Sequence, residues 1–409
     1  MAPMVRNAKG RALGAALVLA VVAAACSGDD DEAEGGGTEP AGQAGQAGDG
    51  GTPAEPGPWV VEAPEEHGLD PATLEQARTY AFAYGKNTQG VVVVRDGVIV
   101  AEWYADGAGP DSWVASWSVA KSFTSATVGI AIEEGLIPGV DEPMTTWYPA
   151  FAGTEREDMT LRDVLQMGSG LDWVEDYDPG SAAESDIIRM VTGERDELAY
   201  AASQPAEVAP GSRFSYSSGD TMLLSGVLEQ ATGMPADAYA TDVLFEPLGL
   251  DRAEWWRDGA GHTLTYCCFD STSRDFARFG QLYLQGGRWG DRQVVPEQWV
   301  DDSIVPSDAS EEAGDPYGYQ WWLGEPEGID EDVFAAVGHD GQWIYVIPGV
   351  DMVVVRNGTY VKNPGPPVAD PNLFPVYPSD GLVSGQGTSP PDDWDTSEFL
   401  GPILASAEG

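Results

Sequence analysis

The stretch Trp117-Ser118-Val119-Ala120-Lys121-Ser122-Phe123-Thr124-Ser125 opens a helical run over residues 119–134 that Gly135 closes. A spacing of three puts the Ser118 hydroxyl and the Lys121 amine on one helix face, a turn apart. Ser118 falls in the first turn, where backbone N–H groups lack intrahelical partners and the helix dipole is positive. Serine is a weak nucleophile until a base takes its proton, and a neutral lysine is such a base. Burial favours the neutral lysine, because a low-dielectric site penalises the ammonium. A Ser-x-x-Lys pattern alone is common, but its surroundings sharpen it. Lys9, Lys86, Lys121 and Lys362 are the only lysines of the chain, and Lys121 lies in an apolar helix continued by Ala126, Val128, Ile130 and Ile132. The competing reading is a solvated lysine whose stem covers a helix face.

Outward from this helix the pattern is that of a sheet with a helical insert. Residues 71–84 read as a helix, and residues 91–94 and 98–103 are β-branched runs around Asp96-Gly97, a hairpin signal. Residues 161–166, 222–231 and 274–284 have helical character, and strands return at 343–347 and 352–356, joined by Pro348-Gly349. A hairpin first, helices in the middle and a hairpin last give an α+β fold: an antiparallel sheet built from both chain ends, flanking helices and a mostly helical insert. Residues 363–391 are rich in Pro, Gly and Ser and read as a long surface loop, and 396–407 as a final helix covering the sheet.

The 409 residues are 42% hydrophobic and include 14 tryptophans, enough for a substantial core. Acidic side chains number 67 against 20 basic, a formal charge of −47. Such a chain is repelled by nucleic acid and by anionic lipid headgroups, so neither is expected as a direct ligand. The charge serves solubility or tolerance of high salt, or else draws in a cationic substrate. Residues 1–25 read as an export signal: Arg6, Lys9 and Arg11 precede an apolar run over 12–25 that is too short to span a bilayer. The run ends in Ala23-Ala24-Ala25-Cys26, which resembles the lipobox of bacterial lipoproteins, with Ala23 where Leu is usual. That resemblance implies a lipid on Cys26; a plain signal peptide cut near Ala25 is the alternative. Residues 26–57 hold Asp29-Asp30-Asp31-Glu32, a Gly run and a Gly-Gln-Ala repeat, and read as a disordered acidic spacer ahead of a folded domain over 58–409. Cys267 and Cys268 are too few for a disulfide framework, and are expected as a pair of buried thiols or the rarer vicinal disulfide. His67, His262 and His339 have no metal-ligand spacing, and no nucleotide-binding glycine motif occurs, so no metal or cofactor is expected.

Several motifs, in order, resemble the class C β-lactamase superfamily, whose members include D,D-peptidases, carboxylesterases and 6-aminohexanoate-oligomer hydrolases. They are 117–125 with 129–137 (GIAIEEGLI), then 159–171 (MTLRDVLQMGSGL), 210–218 (PGSRFSYSS), 273–280 (SRDFARFG) and 338–342 (GHDGQ). The likeness runs from about residue 58 to 360, and Trp117 with the His339 segment is most similar to the esterase and oligomer-hydrolase branch. It implies a β-lactamase/transpeptidase-like fold with Ser118 as nucleophile and Lys121 as its partner. It puts Tyr216-Ser217-Ser218 at the family's Tyr-x-Asn. Tyr216 would then share the proton relay, its phenolate stabilised by a nearby cation, and Ser218 would stand where an Asn grips a substrate amide. A structural Tyr bonded to backbone is the alternative. His339-Asp340-Gly341 takes the place of Lys-Thr-Gly on the strand lining the site. By that match the Gln342 N–H joins that of Ser118 in the oxyanion hole, and Gly341 lets a substrate approach the strand. His339 replaces the lysine that faces a substrate carboxylate.

The reaction implied is hydrolysis of an ester or small linear amide through an acyl-enzyme on Ser118. Trp117, Trp321-Trp322 and Trp343 are expected as aromatic walls for an apolar acyl chain. The expected partner is a small-molecule substrate, with membrane contact only through the lipid anchor, on the outer face of the cytoplasmic membrane or in the periplasm. The alternatives are D,D-peptidase or β-lactamase action on cell-wall peptides or penicillins, and a binding module that has lost catalysis. No Gly-x-Ser-x-Gly, Ser-Asp-Asn or Lys-Thr-Gly occurs, against an α/β-hydrolase elbow and a class A β-lactamase.

Overall fold

A computed structural model describes residues 57–177, 184–250, 252–360 and 394–407. The signal, Cys26, residues 26–56 of the spacer and the 363–391 loop lie outside the described residues. The strands are β1 (Thr88–Arg95), β2 (Val98–Tyr104), β3 (Trp113–Ala115), β4 (Glu254–Trp255), β5 (Phe269–Thr272), β6 (Arg288–Trp289), β7 (Arg292–Gln293), β8 (Trp322–Leu323), β9 (Phe334–Gly338), β10 (Gln342–Ile347) and β11 (Met352–Gly358).

The valines of 91–94 explain the layering. Side chains alternate along a strand, so Val92 and Val94 join one core with Ile344, Val346, Val353 and Val355, while Val91 and Val93 join another with Tyr345, Ile347, Met352 and Val354. A strand buried on both faces has no polar side, hence the unbroken apolar run. The main sheet has the order β2-β1-β11-β10-β9-β8 and is antiparallel throughout, so the first hairpin pairs with the last strand. Asp96 and Gly97 both have positive φ (52° and 78°), as a two-residue turn matched to strand twist requires. The Pro71–Ala81 and Thr396–Ala405 helices cover one face, with Leu74, Phe399 and Ile403 buried beneath them. The Ser273–Leu284 helix packs on the other, against β1, β10 and β11.

A second sheet, β3-β5-β4, delivers the chain to the Ser118 helix. Just after β3, Ser116 is pinned to β5 twice: its N–H donates to the Phe269 carbonyl (2.8 Å) and its hydroxyl accepts from the Phe269 N–H (2.9 Å). A 3₁₀ turn, Trp117–Val119, then leads into the Ala120–Glu133 helix.

Two sequence readings are corrected at this level, a helix start and the place of a ring. The helix expected at 222–231 spans Ser218–Thr232, because the Ser217 hydroxyl caps it by accepting from the Asp220 N–H (2.9 Å). Trp343 is not a wall of the site. In β10 it alternates with Gln342 and Ile344, and its ring packs on Trp394 (5.0 Å between centroids) in the core under the terminal helices.

Candidate active site

Trp117 has φ of 47°, a conformation that costs a bulky residue energy and is held here by its neighbours. Ser116 before it is pinned to β5, and Gly338 lies against it: a Cβ on Gly338 would come within 2.4 Å of the Ser116 carbonyl oxygen and 3.2 Å of the Trp117 Cβ. Only glycine lets β9 pass this close. The result is a fixed entry angle that sets Ser118 in the first turn.

One turn on, Lys121 is buried, with 1% of its surface exposed. Its Nζ has three oxygen neighbours: Ser118 Oγ at 3.1 Å, Ser218 Oγ at 3.0 Å and the Tyr266 carbonyl at 3.0 Å. Burial pulls its pKa down to about 8, against the opposing charges of Glu175 and Asp220. A neutral amine has two N–H groups and one lone pair. With the N–H groups on Tyr266 and Ser218, the lone pair is left for the Ser118 hydroxyl.

Tyr216 lies close enough to the Ser118 hydroxyl for that group to favour its ionised form, a smaller effect than the two that oppose it. Its ring stacks on Trp322 (5.5 Å, 23°) and lies 5.0 Å from Lys121 Nζ. Burial first, and the Glu175 charge second, push the Tyr216 pKa up. The phenolate expected from sequence is therefore disfavoured; the group is a phenol, able to donate a proton to an oxygen or nitrogen beside Ser118.

Ser218 also departs from its expected use. Its hydroxyl accepts from Lys121 and donates to Glu175 Oε1 (2.6 Å), so it is engaged within the protein rather than held out to an acyl amide. Glu175 belongs to none of the sequence motifs. Its carboxylate also accepts from the Ser218 N–H (3.0 Å), Trp173 Nε1 (2.6 Å) and the Tyr177 hydroxyl (2.6 Å). The signal was present: Trp173, Glu175 and Tyr177 alternate, which on an extended segment turns them to one side.

The third motif forms a turn, not a strand. His339–Gly341 is a 3₁₀ turn between β9 and β10, with Asp340 at φ 59° and Gly341 at φ 73°. In it the Gln342 N–H donates to the His339 carbonyl, so the oxyanion donor assigned from sequence is already engaged. The Gln342 side chain is buried and accepts from Asn357 Nδ2 (2.9 Å). Arg356, fully buried, donates to the carbonyls of Asp340 (2.8 Å) and Gly341 (2.7 Å) and fixes the turn. His339 is at the mouth: Asp340 Oδ1 lies 2.8 Å from its Nδ1, and its ring sits 5.5 Å from those of Trp117 and Tyr177. Trp322 stacks on Tyr216, while Trp321 is core. Tyr266, whose carbonyl holds Lys121, precedes Cys267 and Cys268, which are joined as a disulfide rather than held as thiols.

A sheet built from both chain ends, a helical insert, and Ser-x-x-Lys opening a buried helix define the β-lactamase/transpeptidase-like class. Residues 75–373 match the family described as Beta-lactamase. The chain belongs to that family and is a serine hydrolase. A 6-aminohexanoate-dimer hydrolase of Paenarthrobacter ureafaciens is 28% identical over 288 residues, 66% of this chain and 72% of that protein. Esterase EstB of Burkholderia gladioli is 32% identical over 142 residues, 32% of this chain and 36% of that protein. A D-stereospecific amidohydrolase from Streptomyces shares the fold, with a TM-score of 0.54 at 20% identity over 73% of this chain and 95% of that one.

Proposed function

We propose that the protein cleaves esters or small linear amides through an acyl-enzyme on Ser118. The observation that carries this is the Lys121 amine, buried and 3.1 Å from Ser118 Oγ, with its other two neighbours fixed as acceptors. Lys121 takes the Ser118 proton as Oγ attacks the acyl carbon. The Tyr216 phenol donates its proton to the departing oxygen or nitrogen and is reprotonated from Lys121. In the second half a water attacks the acyl carbon, loses its proton to the same pair, and Ser118 leaves reprotonated. The developing oxyanion is held by the Ser118 N–H and, in place of Gln342, by the His339 N–H that follows Gly338.

The rings of Trp117, Tyr177, Tyr216 and Trp322 favour an apolar acyl chain. No lysine stands at the third motif to hold a penicillin carboxylate, and Ser218 is turned to Lys121 and Glu175. The relatives named as a 6-aminohexanoate-dimer hydrolase and an esterase support the same reading. The N-terminal segment, read as a lipoprotein signal, supports a reaction outside the cytoplasmic membrane. Nitrophenyl acetate, nitrophenyl butyrate, linear amides and nitrocefin assayed side by side test this. The esters or amides should turn over and nitrocefin slowly or not at all; nitrocefin tenfold faster than every other substrate would overturn the reading in favour of a β-lactamase.

A further inference from the structure

Ser218 and Glu175 form an arm that the acyl-transfer scheme does not yet use. The Ser218 hydroxyl accepts from Lys121 Nζ (3.0 Å) and donates to Glu175 Oε1 (2.6 Å), making a two-bond chain from the amine to a carboxylate. The carboxylate is itself fixed from three further directions, by the Ser218 N–H, Trp173 Nε1 and the Tyr177 hydroxyl. Four donors, two of them from the buried Ser218, fix it in place. Lys121 is the only lysine among the groups it reaches, and a carboxylate one hydroxyl away is placed to stabilise an ammonium there.

We infer that Glu175 is a positioning residue of the reaction: through the Ser218 hydroxyl it holds Lys121 and stabilises the charge Lys121 gains on taking the Ser118 proton. The inference rests on Lys121 acting as the base, as proposed above. The step balances within the residues named. The O–H bond of Ser118 breaks, an N–H bond forms on Lys121, and the Ser218 and Glu175 hydrogen bonds shorten without transferring a proton. Ser218 thus does for Lys121 what a longer side chain at that position would do directly, by recruiting a carboxylate from the 171–177 segment. The other ionisable groups facing Lys121 are Asp220 from the Ser218–Thr232 helix, the phenol of Tyr216, and Tyr266, whose hydroxyl donates to Glu197 (2.5 Å). Of these acids, Glu175 is the one bonded to the same atom that accepts from Lys121, the Ser218 Oγ; Glu197 bonds the Tyr266 hydroxyl rather than the carbonyl Lys121 uses, and Asp220 accepts from Ser169 Oγ (2.7 Å).

The test is the pH dependence of Ser118 labelling by a fluorophosphonate, in the wild type, Glu175→Gln and Ser218→Ala. Removing the carboxylate makes the ammonium less stable, so Lys121 becomes neutral at lower pH and is a weaker base once neutral. Half-maximal labelling should move down from about 8 by about one pH unit in Glu175→Gln, with a severalfold lower plateau. Ser218→Ala, which breaks the chain but leaves the acid, should shift it in the same direction by less, and it supplies the reading where Glu175→Gln does not fold. An unmoved midpoint in the folded variants, with only the plateau lowered, would assign Glu175 a purely structural role. Lys121→Ala separates the two levels: loss of labelling there beside an unmoved Glu175→Gln profile removes the inference alone, whereas labelling that survives Lys121→Ala removes the base and the inference together.

Discussion

Lys121 and Tyr266 are joined by a buried 3.0 Å hydrogen bond from the side-chain nitrogen to the backbone carbonyl, across 145 residues of sequence. A carbonyl can only accept, so this bond holds the nitrogen in place in both charge states and leaves its proton traffic to the Ser118 side. The carbonyl is held in turn: Tyr266 bonds Glu197 through its hydroxyl, the neighbouring Thr265 carbonyl accepts from Thr124 (2.7 Å), and Cys267–Cys268 closes the segment with Cys268 at φ 63°.

That arrangement predicts a cost on opening the disulfide. A Cys267→Ala/Cys268→Ala variant should label Ser118 about tenfold to a hundredfold more slowly, because a shift of the order of an ångström at a base is worth that much. Peptide mapping after alkylation without reductant should find both cysteines protected. Full alkylation of the pair before reduction would contradict the disulfide, and an unchanged rate in the variant would contradict its role in placing Tyr266.

The nucleophile, base and phenol act in one proton relay, so their removal should not be additive. Ser118→Ala, Lys121→Ala and Tyr216→Phe should each lower kcat/KM at least about a hundredfold, with double variants scarcely worse than singles. His339→Ala should be far milder, since its ring is at the rim with 43% of the side chain exposed. A His339→Ala variant as inactive as Ser118→Ala would point to a histidine base instead.

What was legible in the sequence was local. Asp96-Gly97 between valine runs has one good solution, and Ser118 and Lys121 are related by helical geometry alone, so hairpin and helix follow from near neighbours. Glu175 and Tyr266 are 54 and 145 residues from Lys121, and nothing in their own surroundings announces where their oxygens end up. Trp343 failed for a register reason: one residue along a strand exchanges the site face for the opposite core. Gln342 failed because Asp340 takes a left-handed conformation, which aspartate tolerates but does not demand, and that turn engages the N–H.

The mouth of the site predicts a specificity change. Tyr177→Ala removes an exposed ring beside His339 and a donor to Glu175. It should raise KM for butyryl esters more than for acetyl esters, as loss of apolar acyl contact requires. An equal effect on both chain lengths would place Tyr177 outside the acyl pocket.

The proposal that Cys26 carries lipid, which rests on the Ala23-Ala24-Ala25-Cys26 motif, predicts that full-length protein partitions into the detergent phase, that globomycin blocks its processing, and that Cys26→Ala is released. Partitioning of the wild type into the aqueous phase would favour a plain signal peptide.

The proposed mechanism turns on Lys121, brought by burial to a pKa of about 8, activating Ser118. The base form exists above the lysine pKa, which burial sets near 8, so acylation should be slow at pH 6, half-maximal near pH 8 and flat above pH 9. Mass mapping of the fluorophosphonate adduct as a function of pH measures this directly. One adduct is expected, on Ser118, with that midpoint and with labelling abolished in Lys121→Ala; an adduct on another residue, or a Ser118 adduct formed equally fast at pH 6 and in Lys121→Ala, would contradict a Lys121 base.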